Sequence, residues 1–180
     1  SEQLDWNTYE QALAWAAKHS DDEQYISLNV PTKYLMPQTF VPKLLALANT
    51  HQIAPRRIRL EMSERGLVEW SQHAAKAFEE LTDAGMSLIL DDFTKGTSSL
   101  NSLVLLPVQV VKFVHDPLDA YSQNGGSVRR PQEVLAALLT MCHALHLDVV
   151  ASGVVDEQNC TRLRDLGCRF AQGPYWPARH

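Results

Sequence analysis

The sequence predicts an α/β protein, specifically a TIM-like (β/α) barrel that is incomplete, with about six strands and helices outside them. Predicted strands and helices alternate six times, an order typical of a parallel sheet covered by crossover helices. Polar and apolar residues alternate within the strands, and each strand has a polar group near its carboxyl end: Asn29, Glu61, Asp91, Lys112, Ser152 and Gln172. Because such barrels place their active sites at that end, the polar faces are expected to point into the barrel.

Each element has its own local signal. Apolar residues at helical spacing predict helices, which cover residues 6–19, 42–50, 68–83, a short segment from Ser98, 132–147 and 157–165. Short apolar runs with period-two alternation predict strands, over residues 25–30, 57–63, 87–92, 108–114, 148–154 and 169–172. Residues 116–130 hold a Gly-Gly pair among polar residues and predict a surface loop. No GxGxxG motif follows a strand, which removes the main support for a dinucleotide-binding fold.

The composition indicates one globular domain over residues 1–180. Hydrophobic residues make up 45% and charged residues 21% of the chain, which excludes a disordered protein. A net charge of -5 gives no broad attraction to nucleic-acid polymers or anionic membranes, so neither contact is expected. Three cysteines without metal-ligand spacing fit a reducing cytosol, and no signal peptide or membrane-spanning run is seen. A cytoplasmic domain is expected, although its parent protein could be tethered to a membrane.

The stretch from Ser87 to Leu105 carries the most site-like pattern. An apolar run ends in two adjacent carboxylates, Asp91 and Asp92, and a loop with Gly96 follows. Acids at the carboxyl end of a buried strand favour a site, although Asp also commonly ends a strand and begins a turn. Weaker candidates are explained more simply by solvation or packing: His143 and His146 beside Cys142, Arg129 with Arg130, and Trp176.

Five motifs occur in the order of a known family: SLNVP, LEMSE, ILDDFTKGTSSL, LPVQVVKF and VVASGVVDEQNCTRLRDLGCRFAQG. They resemble the EAL domain, whose members hydrolyse the bacterial second messenger cyclic di-GMP. The resemblance covers nearly the whole chain. It implies metal ligands at Asn29, Glu61 and Asp91, with Asp92 serving a second metal or its water. It also implies a glutamate that holds the loop after the acids, an active-site lysine and a glutamine near the site: Glu64, Lys112 and Gln172. Two hard cations, Mg²⁺ or Mn²⁺, would then activate water to attack a phosphodiester.

The chain also departs from the family pattern. The Glu of the E-A-L signature is not in these 180 residues, and six strands are expected where eight close a barrel, so the sequence is expected to be the C-terminal three quarters of the domain. Ser152 stands where the family has its general-base Glu, and Val114 stands where it has an Asp. Further departures are Val155, Thr94 and Thr97. A serine hydroxyl is a poor base near neutral pH, and a valine binds no metal.

These departures predict a degenerate domain that is not an enzyme. It would be a catalytically inactive regulator in bacterial cyclic di-GMP signalling of biofilm formation or motility, acting as a receptor, a protein-interaction module or both. No cofactor would be required, with Mg²⁺ or Mn²⁺ bound only if the site is still competent. Two alternatives stay open. One is a metal-dependent cyclic di-GMP phosphodiesterase completed by an upstream segment. The other is a scaffold whose edge strands are covered by an upstream domain, another protein partner or a second copy.

Overall fold

The computed structural model describes residues 2–19, 24–35, 38–63, 75–93, 103, 106–114 and 131–176. Within them, the helices are α1 (Glu2–His19), α2 (Phe40–Thr50), α3 (residues 75–83), α4 (Pro131–Ala144) and α5 (Glu157–Asp165). The strands are β1 (Ile26–Asn29), β2 (Ile58–Ser63), β3 (Ser87–Asp91), β4 (Val110–Val114), β5 (Asp148–Ser152) and β6 (Phe170–Ala171). Short 3-10 turns cover Thr32–Leu35 and Pro55–Arg57.

The six described strands form one parallel sheet in sequence order, β1-β2-β3-β4-β5-β6. Each strand pairs with the next one along the chain, and in the register of β1 with β2, Asn29 lies opposite Glu61. Helices lie in the described crossovers from β1 to β2, β2 to β3, β4 to β5 and β5 to β6. A parallel sheet in sequence order with helical crossovers curls into a barrel wall. The predicted incomplete barrel is confirmed: the strands form a curled half-barrel.

The hydrophobic core lies between the outer face of the sheet and the helices. In β2, the apolar residues Ile58, Leu60 and Met62 are almost fully buried. They belong to one apolar cluster with Leu13 of α1 and Leu44 of α2. Because alternate strand residues point to opposite faces, the residues between them, Arg59 and Glu61, face the inside of the barrel. Each fully buried aliphatic side chain stabilises the fold by about 1.5–3 kcal/mol.

Helix α1 is fixed to the carboxyl end of β1. The ring of Trp6 packs on Phe40 of α2 with centroids 5.5 Å apart, and the ammonium of Lys43 lies 4.1 Å above the Trp6 ring. The buried hydroxyl of Tyr9 donates a hydrogen bond of 2.8 Å to the backbone carbonyl of Asn29. This bond holds the last residue of β1 in place. No helix in the described part of the chain is long and apolar enough to cross a membrane.

Several predicted boundaries shift by two residues or more. Helix α2 begins at Phe40 rather than at Pro42, because a proline in the first helical turn gives up an N–H that has no partner there in any case. Strand β5 ends at Ser152 rather than at residue 154, because Gly153 adopts a positive φ of 82° and turns the chain. Helix α1 begins at Glu2, earlier than predicted. The predicted loop 116–130, the short helix from Ser98 and residues 68–74 of the long helix lie outside the described residues.

Candidate active site

The candidate site lies on the inner face of the sheet toward the carboxyl ends of β1 to β4. Asn29 is the last residue of β1, and Glu61 of β2 is its partner in register. Asp91 ends β3, and Lys112 lies in the middle of β4. Partners in a parallel sheet point to the same face, so the period-two pattern of the sequence brings an amide, two carboxylates and an ammonium to one wall of the barrel.

Glu61 forms the centre of this group. The Nζ of Lys112 donates a hydrogen bond of 2.7 Å to Oε2 of Glu61, and the two side chains are only 10% and 9% exposed. The hydroxyl of Ser27 donates to the other oxygen, Oε1. A buried carboxylate is costly unless it is paired and hydrogen-bonded, and here each of its oxygens has a donor. The Glu61 carboxylate is therefore held from β1 on one side and from β4 on the other.

Asp91 is half-buried and has both positively and negatively charged neighbours. Loss of solvation by burial raises the pKa of its carboxyl group, and the neighbouring charges of Asp92 and Glu61 raise it further. The backbone N–H of Asp92, which donates to Oδ1 of Asp91 at 2.8 Å, and the charge of Lys112 act in the opposite direction and lower the pKa. The balance is a raised pKa. A bound cation would oppose this shift, because positive charge favours the ionised form.

Asp92 turns the chain directly after β3. Its φ is 56°, in the left-handed region that Asp tolerates better than most residues. The next residue, Phe93, is buried and donates its backbone N–H to the carbonyl of Lys112 at 3.2 Å. The turn therefore ties the acidic end of β3 to the strand that carries the lysine. Glu64, predicted to hold the loop after the acids, lies outside the described residues.

Ser152 and Gln172 lie at the other edge of the sheet, on β5 and directly after β6. Ser152 is the last residue of β5, opposite Val114 in register, and its hydroxyl donates to the carbonyl of Phe113 at 3.0 Å. Gln172 follows β6 with its side chain exposed, and its backbone N–H donates to the carbonyl of Ala151 at 2.8 Å. The structure thus clusters Glu61, Asp91 and Lys112. Ser152 and Gln172 lie beyond this cluster, at the ends of β5 and β6, where the bonds described above tie them to backbone carbonyls.

Two residues that matter to the site were not predicted to do so. Ser27 lies on the polar face of β1, and its bond to Glu61 depends on strand pairing between residues 34 positions apart. Gly173 permits backbone packing behind Gln172, since a Cβ at Gly173 would lie 2.3 Å from the backbone N and O of Val154. The alternation of β1 is the signal for Ser27, and the Gln-Gly pair that ends the last motif is the signal for Gly173.

The donor set suits a hard divalent cation. Oxygen atoms of Asn29, Glu61 and Asp91 are the ligands that Mg²⁺ and Mn²⁺ prefer. In the described residues no three His, Cys, Asp or Glu side chains lie close enough to hold a metal by themselves. Mg²⁺ fits such a site, because it is usually bound through one or two carboxylates and completed by waters and substrate phosphate oxygens. The residues present therefore fit the metal that the family resemblance implies.

Comparison with known proteins agrees with this geometry. The family model described as the EAL domain matches residues 2–178. The cyclic di-GMP phosphodiesterase RocR of Pseudomonas aeruginosa is 28% identical over 174 residues, which are 96% of this chain and 43% of RocR. The probable cyclic di-GMP phosphodiesterase PdeB of Escherichia coli is 28% identical over 167 residues, 93% of this chain and 30% of PdeB. The chain thus spans less than half the length of these two relatives.

A solved structure shows the same fold. BlrP1 of Klebsiella pneumoniae, in its complex with manganese and cyclic di-GMP, superposes with a TM-score of 0.82 at 23% identity and covers 95% of this chain and 43% of its own. The predicted barrel fold and the resemblance to the family are both confirmed.

The expectation that the domain is not an enzyme is wrong. RocR is named a cyclic di-GMP phosphodiesterase and PdeB a probable one, and both align with nearly the whole chain. That expectation rests on Ser152 and Val114, and it gives a side-chain base too much weight. A divalent metal lowers the pKa of its own bound water, so the loss of these two neighbouring carboxylates does not by itself remove the nucleophile. The carboxylates that would hold the metal, Glu61 and Asp91, are present.

Proposed function

This chain belongs to the EAL domain family, and we propose on that premise that it is the catalytic part of a metal-dependent cyclic di-GMP phosphodiesterase. The observation that supports this most directly is the cluster at the carboxyl ends of β2 to β4. There the buried pair of Glu61 and Lys112 adjoins the half-buried Asp91. Two carboxylates that can hold a divalent cation, beside a lysine on one wall of a (β/α) barrel, suit a substrate that carries phosphate groups.

Each residue has a role that follows from its chemistry. Asn29, Glu61 and Asp91 would hold Mg²⁺ or Mn²⁺, and when bound the metal supplies an acidified water and positive charge for the phosphodiester. Lys112 uses one of its three N–H donors on Glu61, which leaves two that can face a phosphate oxygen. Its burial strengthens that attraction, because the screening by water is weak there. Asp92 lies beside Asp91 and would serve a second metal or its water.

The residues at the β5 and β6 end of the sheet indicate a slow enzyme rather than an inactive one. Ser152 donates its hydroxyl to a backbone carbonyl, and a hydroxyl is a weak proton acceptor near neutral pH. Removal of a proton from water then depends on the metal and on the remaining carboxylates. Gln172, at the same edge, would contact the nucleotide.

We further propose that the outer strands of the sheet are covered in the functional protein. In the described sheet, β1 and β6 are the two outer strands, and large aromatic side chains near β6 are exposed: Phe170, Tyr175 and Trp176. Open strand edges are usually covered in native proteins. We assign the cover to further strands of the same domain outside these 180 residues or to a second copy of the chain. All three cysteines are unpaired, which fits a cytoplasmic location.

The proposal is tested by following cyclic di-GMP and its linear product with Mg²⁺, with Mn²⁺ and after chelation. Linear product that forms with metal and stops with chelator is the expected result. Calorimetric titration of cyclic di-GMP into the same sample reports binding separately. Tight binding without any product, in the presence of either metal, would contradict the proposal.

A further inference from the structure

We infer that Ser27 is a positioning residue that sets the orientation of the Glu61 carboxylate toward the metal. This inference rests on the proposed function, since it concerns how the proposed metal ligand is held. The hydroxyl of Ser27 donates to Oε1 of Glu61. Ser27 lies on the inner face of β1, two residues before Asn29, and Asn29 is the register partner of Glu61. The serine therefore approaches the carboxylate from the strand that also supplies the amide ligand.

The two donors to Glu61 act on different oxygens and come from opposite sides. Lys112 of β4 donates to Oε2, and Ser27 of β1 donates to Oε1. A carboxylate oxygen has two lone pairs, so each oxygen keeps one for a cation while it accepts these bonds. Lysine is a point charge on a flexible four-carbon stem and does not by itself fix how the carboxylate plane is rotated. The hydroxyl sits one carbon from the backbone of a paired strand, so it adds the second point that fixes this plane.

The exposure of Ser27 and of Glu61 indicates that the serine orients the carboxylate rather than stabilises the fold. Ser27 is exposed, whereas Glu61 is buried. Because Ser27 is exposed, water can take the place of its hydroxyl and donate to Oε1 of Glu61, so the buried carboxylate keeps a donor and folding stability is expected to change only slightly. Partners that orient a metal ligand have a larger effect on the metal, typically about 10- to 100-fold in affinity or activity. Loss of the Ser27 hydroxyl should thus weaken metal binding far more than it weakens the fold.

The test is direct titration of Mn²⁺ followed by electron paramagnetic resonance, which counts free metal without substrate. Ser27→Ala is expected to raise the Kd for Mn²⁺ by about 10- to 100-fold, while Ser27→Thr, which keeps the hydroxyl, stays close to wild type. Ser87→Ala is the matched control, because Ser87 also lies on the inner face but at the start of β3, away from the carboxyl end. Thermal unfolding of every variant shows whether the fold is kept.

A second pair of variants covers the case in which Ser27→Ala does not fold. Ser27→Thr and Ser27→Val have nearly the same shape, both suit a strand, and they differ in the hydroxyl alone. A weaker Kd in the valine variant than in the threonine variant supports the inference. Equal Kd values in wild type, Ser27→Ala and Ser27→Val would overturn it, and so would equal weakening by threonine and valine. If wild type binds no Mn²⁺, the proposed function itself fails, which is distinct from a failure at Ser27 alone.

Discussion

Lys112 Nζ lies 2.7 Å from Glu61 Oε2, although the two residues are 51 positions apart and β3 runs between their strands. The pair spans the strand that carries Asp91, and both members are buried. Lys112 therefore offsets the charge of two neighbouring carboxylates in a metal-free site. This relationship explains how the acidic groups that we propose as cation ligands can remain together within the barrel without a cation.

Removal of the lysine should destabilise the fold. Lys112→Met keeps the length of the side chain and leaves the buried Glu61 carboxylate without its ammonium partner. Breaking a buried pair from one side costs about 3–5 kcal/mol in the free energy of unfolding. Urea titration of the metal-free protein measures this loss. Mn²⁺ should recover part of it, because the metal replaces the missing positive charge.

An exposed ion pair provides the control for that experiment. Lys76 lies 3.6 Å from Glu80 on α3, with side chains 72% and 41% exposed. Lys76→Met should change the free energy of unfolding by less than about 1 kcal/mol, because exposed pairs are screened by water. Equal losses in the free energy of unfolding in Lys76→Met and Lys112→Met would show that the buried pair stabilises the fold no more than the exposed pair does.

Gly173 should tolerate no side chain. In Gly173→Ala the new Cβ would lie 2.3 Å from backbone atoms of Val154, which cannot move without loss of the hydrogen bond from Val154 N–H to Gln172. Gly167→Ala is the matched comparison, because its φ of 85° is also positive but the nearest atom, on His143, is 3.8 Å away.

The comparison separates backbone strain from collision. Strain alone costs about 1–2 kcal/mol, so Gly167→Ala should lose about that much in the free energy of unfolding. Gly173→Ala should lose clearly more, as measured by chemical denaturation. A smaller loss at Gly173 than at Gly167 would show that the close approach to Val154 does not hold in solution.

Much of the fold follows from local pattern, and the site follows only in part. Period-two alternation places Glu61 and Lys112 on the inner face, and the apolar residues Leu60 and Phe113 on the outer face, without knowledge of any tertiary contact. The bond between Ser27 and Glu61 is different, because it depends on which strands pair and on how the sheet curls. Such contacts are tertiary properties that one sequence does not display.

The prediction about activity failed for a chemical reason. Ser152 differs from the family pattern, and a missing base is easy to see in a sequence. What a sequence does not show is how strongly the rest of a site can compensate. The structure keeps the buried pair of Glu61 and Lys112 beside Asp91, so carboxylates proposed to hold the metal persist where the family's base is lost.

Cys142 should make the fold sensitive to alkaline pH. Burial raises the pKa of its thiol from 9.0 to about 11. Between these values the folded state holds a proton that the unfolded state releases, so the free energy of unfolding falls as pH rises through this window. Below pH 9.0 both states are protonated and the contribution is fully present. Chemical denaturation of wild type and Cys142→Ala at several pH values from about 8 to 11 measures the contribution of Cys142 to the free energy of unfolding.

The difference between the two proteins isolates the thiol. Other groups titrate in the same range, but they do so in both proteins. The advantage of wild type over Cys142→Ala should therefore shrink as pH rises. A difference that stays constant across the range would mean that Cys142 is not buried as the structure shows.

A carboxylate at residue 152 should speed the reaction. Ser152→Glu places an acid at the carboxyl end of β5 on the inner face, where it can accept a proton from water. A positioned general base contributes about 10²-fold or more to the rate, so kcat for cyclic di-GMP should rise by about that factor. Ser152→Gln has the same size without the charge and should give no gain. An identical response of the two variants would exclude Ser152 as the position that limits the rate.

The most direct test of the central claim compares turnover of cyclic di-GMP by wild type and by Asp91→Asn at saturating Mn²⁺. Asp91→Asn keeps the shape of the side chain and removes the charge that the metal requires. Wild type is expected to form linear product, and the variant to form it at least about 10²-fold more slowly, with both proteins equally folded. Equal product from the two proteins, or none from wild type under conditions in which it binds Mn²⁺, would contradict the claim that this barrel is a metal-dependent phosphodiesterase.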